Sequence, residues 1–367
     1  MKKQPPVQFD IGLNVNHQGK PAVDCQFVLP KVLGTSASIA TELSVSSLIA
    51  HSFNLKYSLP FSTWTFAAEA VKQVNDMQAA SSFAEHVSGM SVSWIKGGHR
   101  IGIDAHLRDI HPLVGIANKF AASEQVRRSP LRTIKTGVNY KYVLDKQVMK
   151  SAAIPHPVGG YKLCFFSDFC GLFGDVRFAK LESSFQTHRR IIANQVVLHS
   201  RIGAGAIAQL NVGRGAQTPI QDRFFLGGSI EERSCLRAFA ARGVGPVGKR
   251  ISNPGNASAA IYDHLGGDVY VSFDNVVSFP LYHAKDGPDI RGMIFAQTGS
   301  LIPTLHSKAL QDLRSNVKCC IGAGILVPIG AIGTMEITVG KPVLGTASVT
   351  DTQQILQIGI RLSSREY

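Results

Sequence analysis

The chain has 367 residues and a net charge of +13, from 38 basic and 25 acidic residues. A hydrophobic fraction of 44 % excludes an intrinsically disordered chain, and six cysteines are too few for a disulfide scaffold. The most apolar stretch, residues 321–335, is too short for a transmembrane helix and is interrupted by glycines and a proline. The N-terminal residues contain no apolar segment of the kind that a secretory signal needs.

In chain order, the first clear feature is a strict alternation of apolar and polar residues. From residue 7 to residue 15 every second side chain is apolar, and the positions between them hold polar residues or glycine. This period of two gives a β-strand one apolar and one polar face. The same alternation returns in four more segments, residues 53–61, 101–107, 335–340 and 356–362.

Helical periodicity is scarce, and the chain divides into strand-length segments separated by turn residues. Residues 64–78 fit either a short helix or a strand, and we interpret them as a strand. The sequence predicts sixteen strands, over residues 7–16, 22–34, 37–49, 52–61, 64–76, 82–95, 99–110, 131–145, 159–170, 174–188, 192–212, 267–281, 290–302, 316–328, 333–344 and 354–364.

Two all-β architectures are consistent with this pattern. A soluble sandwich or propeller buries the apolar face of each strand, whereas a transmembrane barrel turns that face to lipid. Three features favour the barrel: polar faces rich in glycine, serine, asparagine and charges, an even strand count, and one connection, residues 213–266, far longer than the others. The predicted fold is all-β, a sixteen-stranded antiparallel transmembrane β-barrel over residues 1–367, with that loop folded into the lumen. A soluble β-protein stays open as the alternative.

Three short motifs lie in the long loop. They are residues 222–228 (DRFFLGG), 236–239 (LRAF) and 243–246 (GVGP). In this order they resemble the sixth loop of the BamA superfamily, whose members fold and insert β-barrel proteins in outer membranes. The resemblance identifies the residues of the loop motif as Gly227, Gly228, Leu236, Arg237, Phe239, Gly245 and Pro246.

The resemblance continues through the C-terminal strands. Residues 265–268 (LGGD), 295–301 (FAQTGSL) and 335–337 (MEI) are similar to the last strands of the family, so the match covers residues 220–364. The amide of Gln297 resembles the mitochondrial branch, which provides the core subunit of the sorting and assembly machinery (SAM).

The sequence departs from the family pattern in three places. Ala238 replaces the glycine of the loop tip, so a positive φ there would cost on the order of 1 kcal/mol. Residues 229–234 are longer and more charged than usual. Family members carry an N-terminal POTRA domain, but strand one is predicted from residue 7. We therefore expect no POTRA domain here, because either this copy lacks one or the chain is incomplete.

Arg237 needs partners if the loop enters the lumen, because a buried unpaired charge is costly. Alternation places three polar side chains on the lumen face of the last strands. We expect Glu336 to be the first ionic partner of Arg237 and Asp274 the second. Gln297 is expected to accept a hydrogen bond through its amide oxygen.

The sequence predicts an outer-membrane β-barrel assembly and insertion factor, not an enzyme. Unpaired backbone groups of a client strand are costly in lipid, and an openable seam offers free edges with which they pair. Closure of the sheet puts this seam between residues 7–16 and 354–364, where Gly12 and Gly359 provide little packing. The alternatives are a passive channel or polypeptide-translocating barrel of the same superfamily, and a soluble basic β-protein that binds nucleic acid.

Location and partners follow from the ends of the chain and from the resemblance. The lack of a secretory signal favours a mitochondrial over a bacterial outer membrane. Residues 357–362 also resemble the mitochondrial β-signal, although Ser364 stands where another hydrophobic residue is usual. The expected partners are unfolded β-barrel clients, membrane lipids and accessory subunits of a sorting-and-assembly complex, and no nucleic acid.

Several residues that look like chemical sites have a plainer interpretation. Residues 243–250 resemble a P-loop, but Arg250 stands where a Ser or Thr must reach Mg²⁺. His106 and His111 have an odd spacing, which puts them on opposite faces of a strand. We expect no cofactor, no metal and no catalytic residue.

Overall fold

One antiparallel β-sheet accounts for most of the described chain. The computed structural model describes residues 8–15, 21–32, 35–45, 51–114, 120–151, 154–192, 196–210, 218–228, 235–252, 261–282, 290–329, 333–343 and 347–362. The predicted insertion at residues 229–234 and Ser364 lie outside the described residues, as do the ends of the long loop at residues 211–217 and 253–260.

Sixteen long strands form the sheet in the described part of the chain. They are β1 (Gln8–Val15), β2 (Pro21–Pro30), β3 (Ser38–Val45), β4 (His51–Phe61), β5 (Trp64–Asp76), β6 (Phe83–Lys96), β7 (His99–Pro112), β8 (Arg132–Asp145), β9 (Ile154–Gly174), β10 (Phe178–Ile192), β11 (Val196–Gln209), β12 (Val269–Tyr282), β13 (Ile290–Ile302), β14 (Lys318–Ile329), β15 (Gly333–Pro342) and β16 (Leu356–Leu362).

Each strand pairs with its neighbours in chain order. Fifteen antiparallel ladders join β1 to β16 in sequence. The sheet curves into a barrel, and β1 and β16 approach each other with Cα atoms within 8 Å. Consecutive antiparallel strands need only short connections, and the resulting meander is the topology typical of outer-membrane barrels.

The predicted strands agree one for one with the observed strands. The ambiguous residues 64–78 form β5 up to Asp76, as interpreted. The largest difference is at the predicted strand 159–170, which extends at both ends to Ile154–Gly174 as β9. The next strand, predicted over 174–188, starts later, at Phe178. Gly174 ends β9 with φ 97°, so the residues after it form a turn before pairing resumes.

The two faces of the strands differ as a barrel in lipid requires. On β4, Phe53 and Leu55 point outward and are 45 % and 39 % exposed. On the opposite face, Asn54 donates a hydrogen bond to Glu69 of β5 at 2.7 Å. The same alternation on β12 buries Asp274 and exposes Phe273. The predicted outward direction of Phe53 and Leu55 is confirmed. The sheet therefore does not bury its apolar face as a soluble sandwich does.

The connections at the two ends of the barrel differ in length. The end reached by β11, which we call the loop side, carries residues 210–268 and three helices, α1 (Gln78–Ser81), α2 (Glu124–Arg127) and α3 (Ala309–Ser315). The described part of the chain contains no helix long and apolar enough to cross a bilayer. Short strands add three further pairings: Val148–Ser151 with β9, Val247–Lys249 with Tyr262–His264, and Phe120–Ala121 with Ile251–Ser252.

Candidate functional site in the barrel lumen

The long loop returns on itself in a narrow hairpin. Gly227 and Gly228 have φ values of 124° and 93°, which a side chain at either position would strain. Gly228 pairs with Leu236, and Leu226 pairs with Val244. The N–H of Gly228 also donates to the carbonyl of Phe239 at 3.0 Å, so the LRAF segment, which we call the loop tip, is held against the opposite arm of the loop.

Apolar side chains hold this hairpin inside the barrel. Leu236 and Phe239 are fully buried, and they belong to one cluster with lumen-facing residues of the wall. The wall residues of this cluster include Phe178, Ile207, Tyr270, Met293, Phe295 and Leu301. Because these residues come from β10 to β13, the loop is packed against the side of the lumen that the later strands form.

Arg237 is paired with two carboxylates of the wall. Its side chain is nearly fully buried, and its Nε and Nη2 donate to the two oxygens of Glu336 at 2.5 and 3.1 Å. Its Nη1 lies 3.5 Å from Oδ1 of Asp274. The guanidinium also lies over the ring of Phe295, at 5.2 Å from the centroid. This bidentate and stacked geometry suits arginine better than lysine.

Gln297 contacts the same residue in a different way from the one expected. Its Oε1 accepts a hydrogen bond of 2.7 Å from the backbone N–H of Arg237, not from the guanidinium. Its Nε2 donates to Sγ of Cys235 at 3.4 Å. The amide thus fixes the loop backbone, while Glu336 and Asp274 hold the charged group. All three residues that the sequence proposes as partners lie in contact with Arg237.

The last strand also binds the loop tip. Nε2 of Gln357 donates to the carbonyl of Phe239 at 2.5 Å, and the backbone N–H of Gln354 donates to the carbonyl of Ala238 at 2.9 Å. Gly359 pairs directly with Glu336 across the β15–β16 ladder. The tip is therefore tied to β16 both directly and through the carboxylate that holds Arg237.

A second buried ionic cluster surrounds Asp222, the first residue of the DRFFLGG motif. Arg108 and Lys135 contact its Oδ1 at 2.9 and 3.1 Å. Lys180 donates to its backbone carbonyl at 2.8 Å and lies over the ring of Phe224. Burial alone would raise the pKa of Asp222, but Lys135, Arg108 and Lys180 outweigh it and lower that pKa to about 2.

The GVGP segment makes the third attachment. Gly245 has φ 115° and lies against the side chain of Leu301, with no room for a Cβ. The carbonyl of Pro246 accepts a hydrogen bond of 2.8 Å from the N–H of Leu265. Arg250, which breaks the P-loop pattern, contacts the fully buried Asp263 at 2.7 Å. The segment thus links the wall at Leu301 with the later part of the loop at Leu265.

The comparisons with known proteins agree with this geometry. A family model described as the Omp85 superfamily domain matches residues 31–362. The chain belongs to the Omp85 superfamily. A SAM50-like protein of Schizosaccharomyces pombe is 28 % identical over 232 residues, which are 61 % of this chain and 44 % of that protein. The resemblance found from the loop motif is thereby confirmed, and the protein is an outer-membrane β-barrel.

A solved structure supports the fold of this Omp85 barrel. BamA from Haemophilus ducreyi lacking POTRA domains 1–3 is similar with a TM-score of 0.76 and 14 % identity. The similarity covers 97 % of this chain and 70 % of that one. The chain aligns with less than half of the SAM50-like relative, so the activity of the whole protein is a matter for proposal.

Sequence reasoning missed the cluster around Asp222. The motif drew attention to this residue, but its three cations come from β7, β8 and β10, which carry no recognisable motif. Arg108, Lys135 and Lys180 do occupy lumen-facing positions by alternation. Alternation therefore limits the possible partners of Asp222 to lumen-facing basic residues, but it does not distinguish these three from the other basic residues of the lumen.

Ala238 adopts the backbone conformation that its family position requires of glycine. Its φ is 69°, and its methyl group lies on the side of Gly340 of β15 where that glycine has no side chain. Positive φ costs a non-glycine residue about 1–2 kcal/mol. This protein tolerates that cost directly beside the buried Arg237.

Substitution of Ala238 tests this strained position. We expect Ala238→Gly to change the free energy of unfolding by less than about 1 kcal/mol, because relief of φ offsets the lost burial of one methyl. We expect Ala238→Val to destabilise the barrel strongly, since β-branching is incompatible with this φ and the larger side chain meets Gly340. The denaturant midpoint at which the folded, heat-modifiable gel band disappears measures the stability of each variant. Equal midpoints for the two variants would show that the backbone at position 238 is not strained.

Proposed function

We propose that this Omp85 barrel assembles and inserts other β-barrel proteins in an outer membrane, through a seam between β1 and β16. The proposal depends on how β1 and β16 meet. The two strands lie close together, yet no backbone ladder joins Gln8–Val15 to Leu356–Leu362. Every other pair of neighbouring strands has such a ladder, and the sequence predicts only weak pairing at this junction.

On this proposal the junction offers a client two backbone edges, one on each strand. β1 has its ladder with β2 on one side only, and β16 has its ladder with β15 on one side only. Unpaired N–H and C=O groups in lipid cost several kcal/mol each. An edge strand in this state is a template to which a client strand can add by β-augmentation.

The anchored loop gives this seam a fixed inner wall. The tip binds Gln357 of β16 and reaches Glu336, which pairs with Gly359 of the same strand. Arg237 therefore holds the C-terminal edge in position. We infer that β1 is the strand that moves when a client enters.

The position of the loop in the lumen favours a role in barrel assembly over that of a passive channel. The described loop residues form one buried cluster with the wall residues of β10 to β14, so the loop occupies that side of the lumen. A passive channel of the same superfamily remains the competing function, and conductance in planar bilayers without client insertion would favour it.

We place this protein in the mitochondrial outer membrane, with unfolded β-barrel precursors as clients and accessory subunits of a sorting-and-assembly complex as partners. The SAM50-like relative from a eukaryote and the likeness of residues 357–362 to a mitochondrial β-signal support this placement. Separation of organelle membranes, followed by detection of the protein in outer-membrane fractions, tests it.

A disulfide across the seam tests the mechanism. In a background with the partly exposed Cys25, Cys164 and Cys319 changed to alanine, one cysteine is scanned along Gln8–Val15 and one along Leu356–Leu362. We expect cross-linked pairs to leave the barrel folded but to abolish insertion of a labelled precursor into vesicles, because the edges are no longer free. Reduction should restore insertion.

The matched control places the same cross-link in a continuous ladder. Ser58→Cys and Ala67→Cys lie directly opposite each other on β4 and β5. Their disulfide should leave insertion unchanged, because these strands stay paired throughout. Full insertion by the protein cross-linked at the β1–β16 junction would overturn the seam mechanism, while the family assignment would stand.

A further inference from the structure

Helix α3 is packed against the outside of the barrel, not over its lumen. Ala309 and Leu313 of this helix form one cluster with Val269 and Ile302, and Ala206 packs beside them. These wall residues alternate with lumen-facing Tyr270, Leu301 and Gly205, so they belong to the outward face. The helix therefore covers the lipid-facing wall where β11, β12 and β13 reach the loop side.

A hydrogen bond fixes this position. The hydroxyl of Ser300, also on the outward face of β13, donates to the carbonyl of Leu313 at 2.7 Å. Ser300 is buried by the helix, whereas Ile294 on the same face is 57 % exposed. α3 thus sits directly at the upper border of the apolar band that faces lipid.

The free face of α3 combines an apolar side chain with basic ones. Leu310 is 84 % exposed, which is exceptional for a leucine on a helix that already buries two residues. Lys308 and Arg314 are exposed at the two ends of the helix. The acidic Asp312 contacts His306 at 3.0 Å, and Lys308 and Arg314 together outnumber its single negative charge.

Helix α2 provides an internal comparison on the same side of the barrel. It is also short, but its buried residue Val126 packs with Phe225 and Leu265 of the long loop. Exposed Glu124 in its first turn and exposed Arg128, the residue that caps its C-terminal end, form an ion pair with each other. α2 covers the loop and faces water, whereas α3 covers the wall that faces lipid.

We propose that α3 is an interfacial element that lies in the headgroup region of the bilayer. Leu310 inserts between the upper ends of the acyl chains, and Lys308 and Arg314 reach the lipid phosphates. The apolar band below α3 continues through Val271 and Phe273, so the occupant of this surface is the phospholipid that already covers the wall. Apolar contact together with basic side chains is the combination that holds short helices at such interfaces.

Single-tryptophan fluorescence tests this placement directly. In a Trp64→Phe, Trp94→Phe background, Leu310→Trp places the one tryptophan on the free face of α3. The full chain is reconstituted in phosphatidylcholine vesicles that carry bromine near the headgroup end or near the methyl end of the acyl chains. We expect strong quenching by the shallow bromines, weaker quenching by the deep ones, and protection from aqueous acrylamide.

The matched control is Arg128→Trp on α2 in the same background. It should be quenched by acrylamide and by neither brominated lipid, because α2 lies over the loop. Both variants change exposed side chains, and the heat-modifiable gel shift verifies that each barrel is folded. A tryptophan at position 310 that acrylamide quenches as strongly as the one at position 128 would overturn the proposal.

Discussion

Arg237→Ala is expected to release the loop tip and to destabilise the barrel by about 3–5 kcal/mol, because Glu336 and Asp274 would lose their buried partner. Water entering the lumen would soften this loss. Arg237→Lys should recover only part of it, since an ammonium group cannot reproduce the bidentate contact with Glu336. Denaturant midpoints of the folded gel band measure stability, and insertion of a labelled precursor measures function.

Arg128→Ala is the control for this prediction. Arg128 is paired with Glu124 at 2.5 Å, but its side chain is 79 % exposed, so its loss should cost at most about 1 kcal/mol. Combining Arg237→Ala with Glu336→Ala completes a double-mutant cycle. A coupling energy near zero, or a midpoint for Arg237→Ala equal to that of Arg128→Ala, would show that the ion pair does not anchor the loop.

Asp222→Asn should produce the second large effect. Asn keeps the size of the side chain but leaves Arg108 and Lys135 without their shared carboxylate. Lys135 retains Asp168 at 2.8 Å, so the main loss falls on Arg108. We expect a destabilisation of about 3 kcal/mol, because an uncompensated charge stays buried. The same denaturant midpoints measure it, with the exposed carboxylate of Glu124 changed to Gln as the control.

The pH dependence of stability provides an independent measurement of Asp222. Its pKa in the folded barrel is lowered to about 2 from an ordinary value of 3.8, so the folded state favours the ionised form. This contribution, about 2 kcal/mol, is complete above about pH 5 and is lost as the pH falls through 4 toward 2. The Asp222→Asn barrel should lack this acid-sensitive component. An identical loss of stability between pH 4 and pH 2 in both proteins would contradict it.

The strands and their orientation were predictable because both depend on local pattern. A period of two is written in each strand separately, and the ladders then follow chain order. The partners of Arg237 were predictable for the same reason. Alternation along each strand was enough to place Glu336, Asp274 and Gln297 on the lumen face. Alternation could not predict that Gln297 would accept a hydrogen bond from the backbone N–H of Arg237, while the two carboxylates bind its guanidinium.

What the sequence by itself determined was the meander of strands, the outward direction of the apolar faces and the loop motif with its charged tip. The tertiary structure alone decided which lumen charges meet. Asp222 contacts Arg108, Lys135 and Lys180, which are distant from it in the sequence. No local sequence pattern predicts these contacts. It also decided that α3 packs outside the wall, because seven residues carry too little periodicity to specify a face. Contacts between distant segments depend on the curvature and closure of the whole sheet, which are properties of the barrel and not of any one strand.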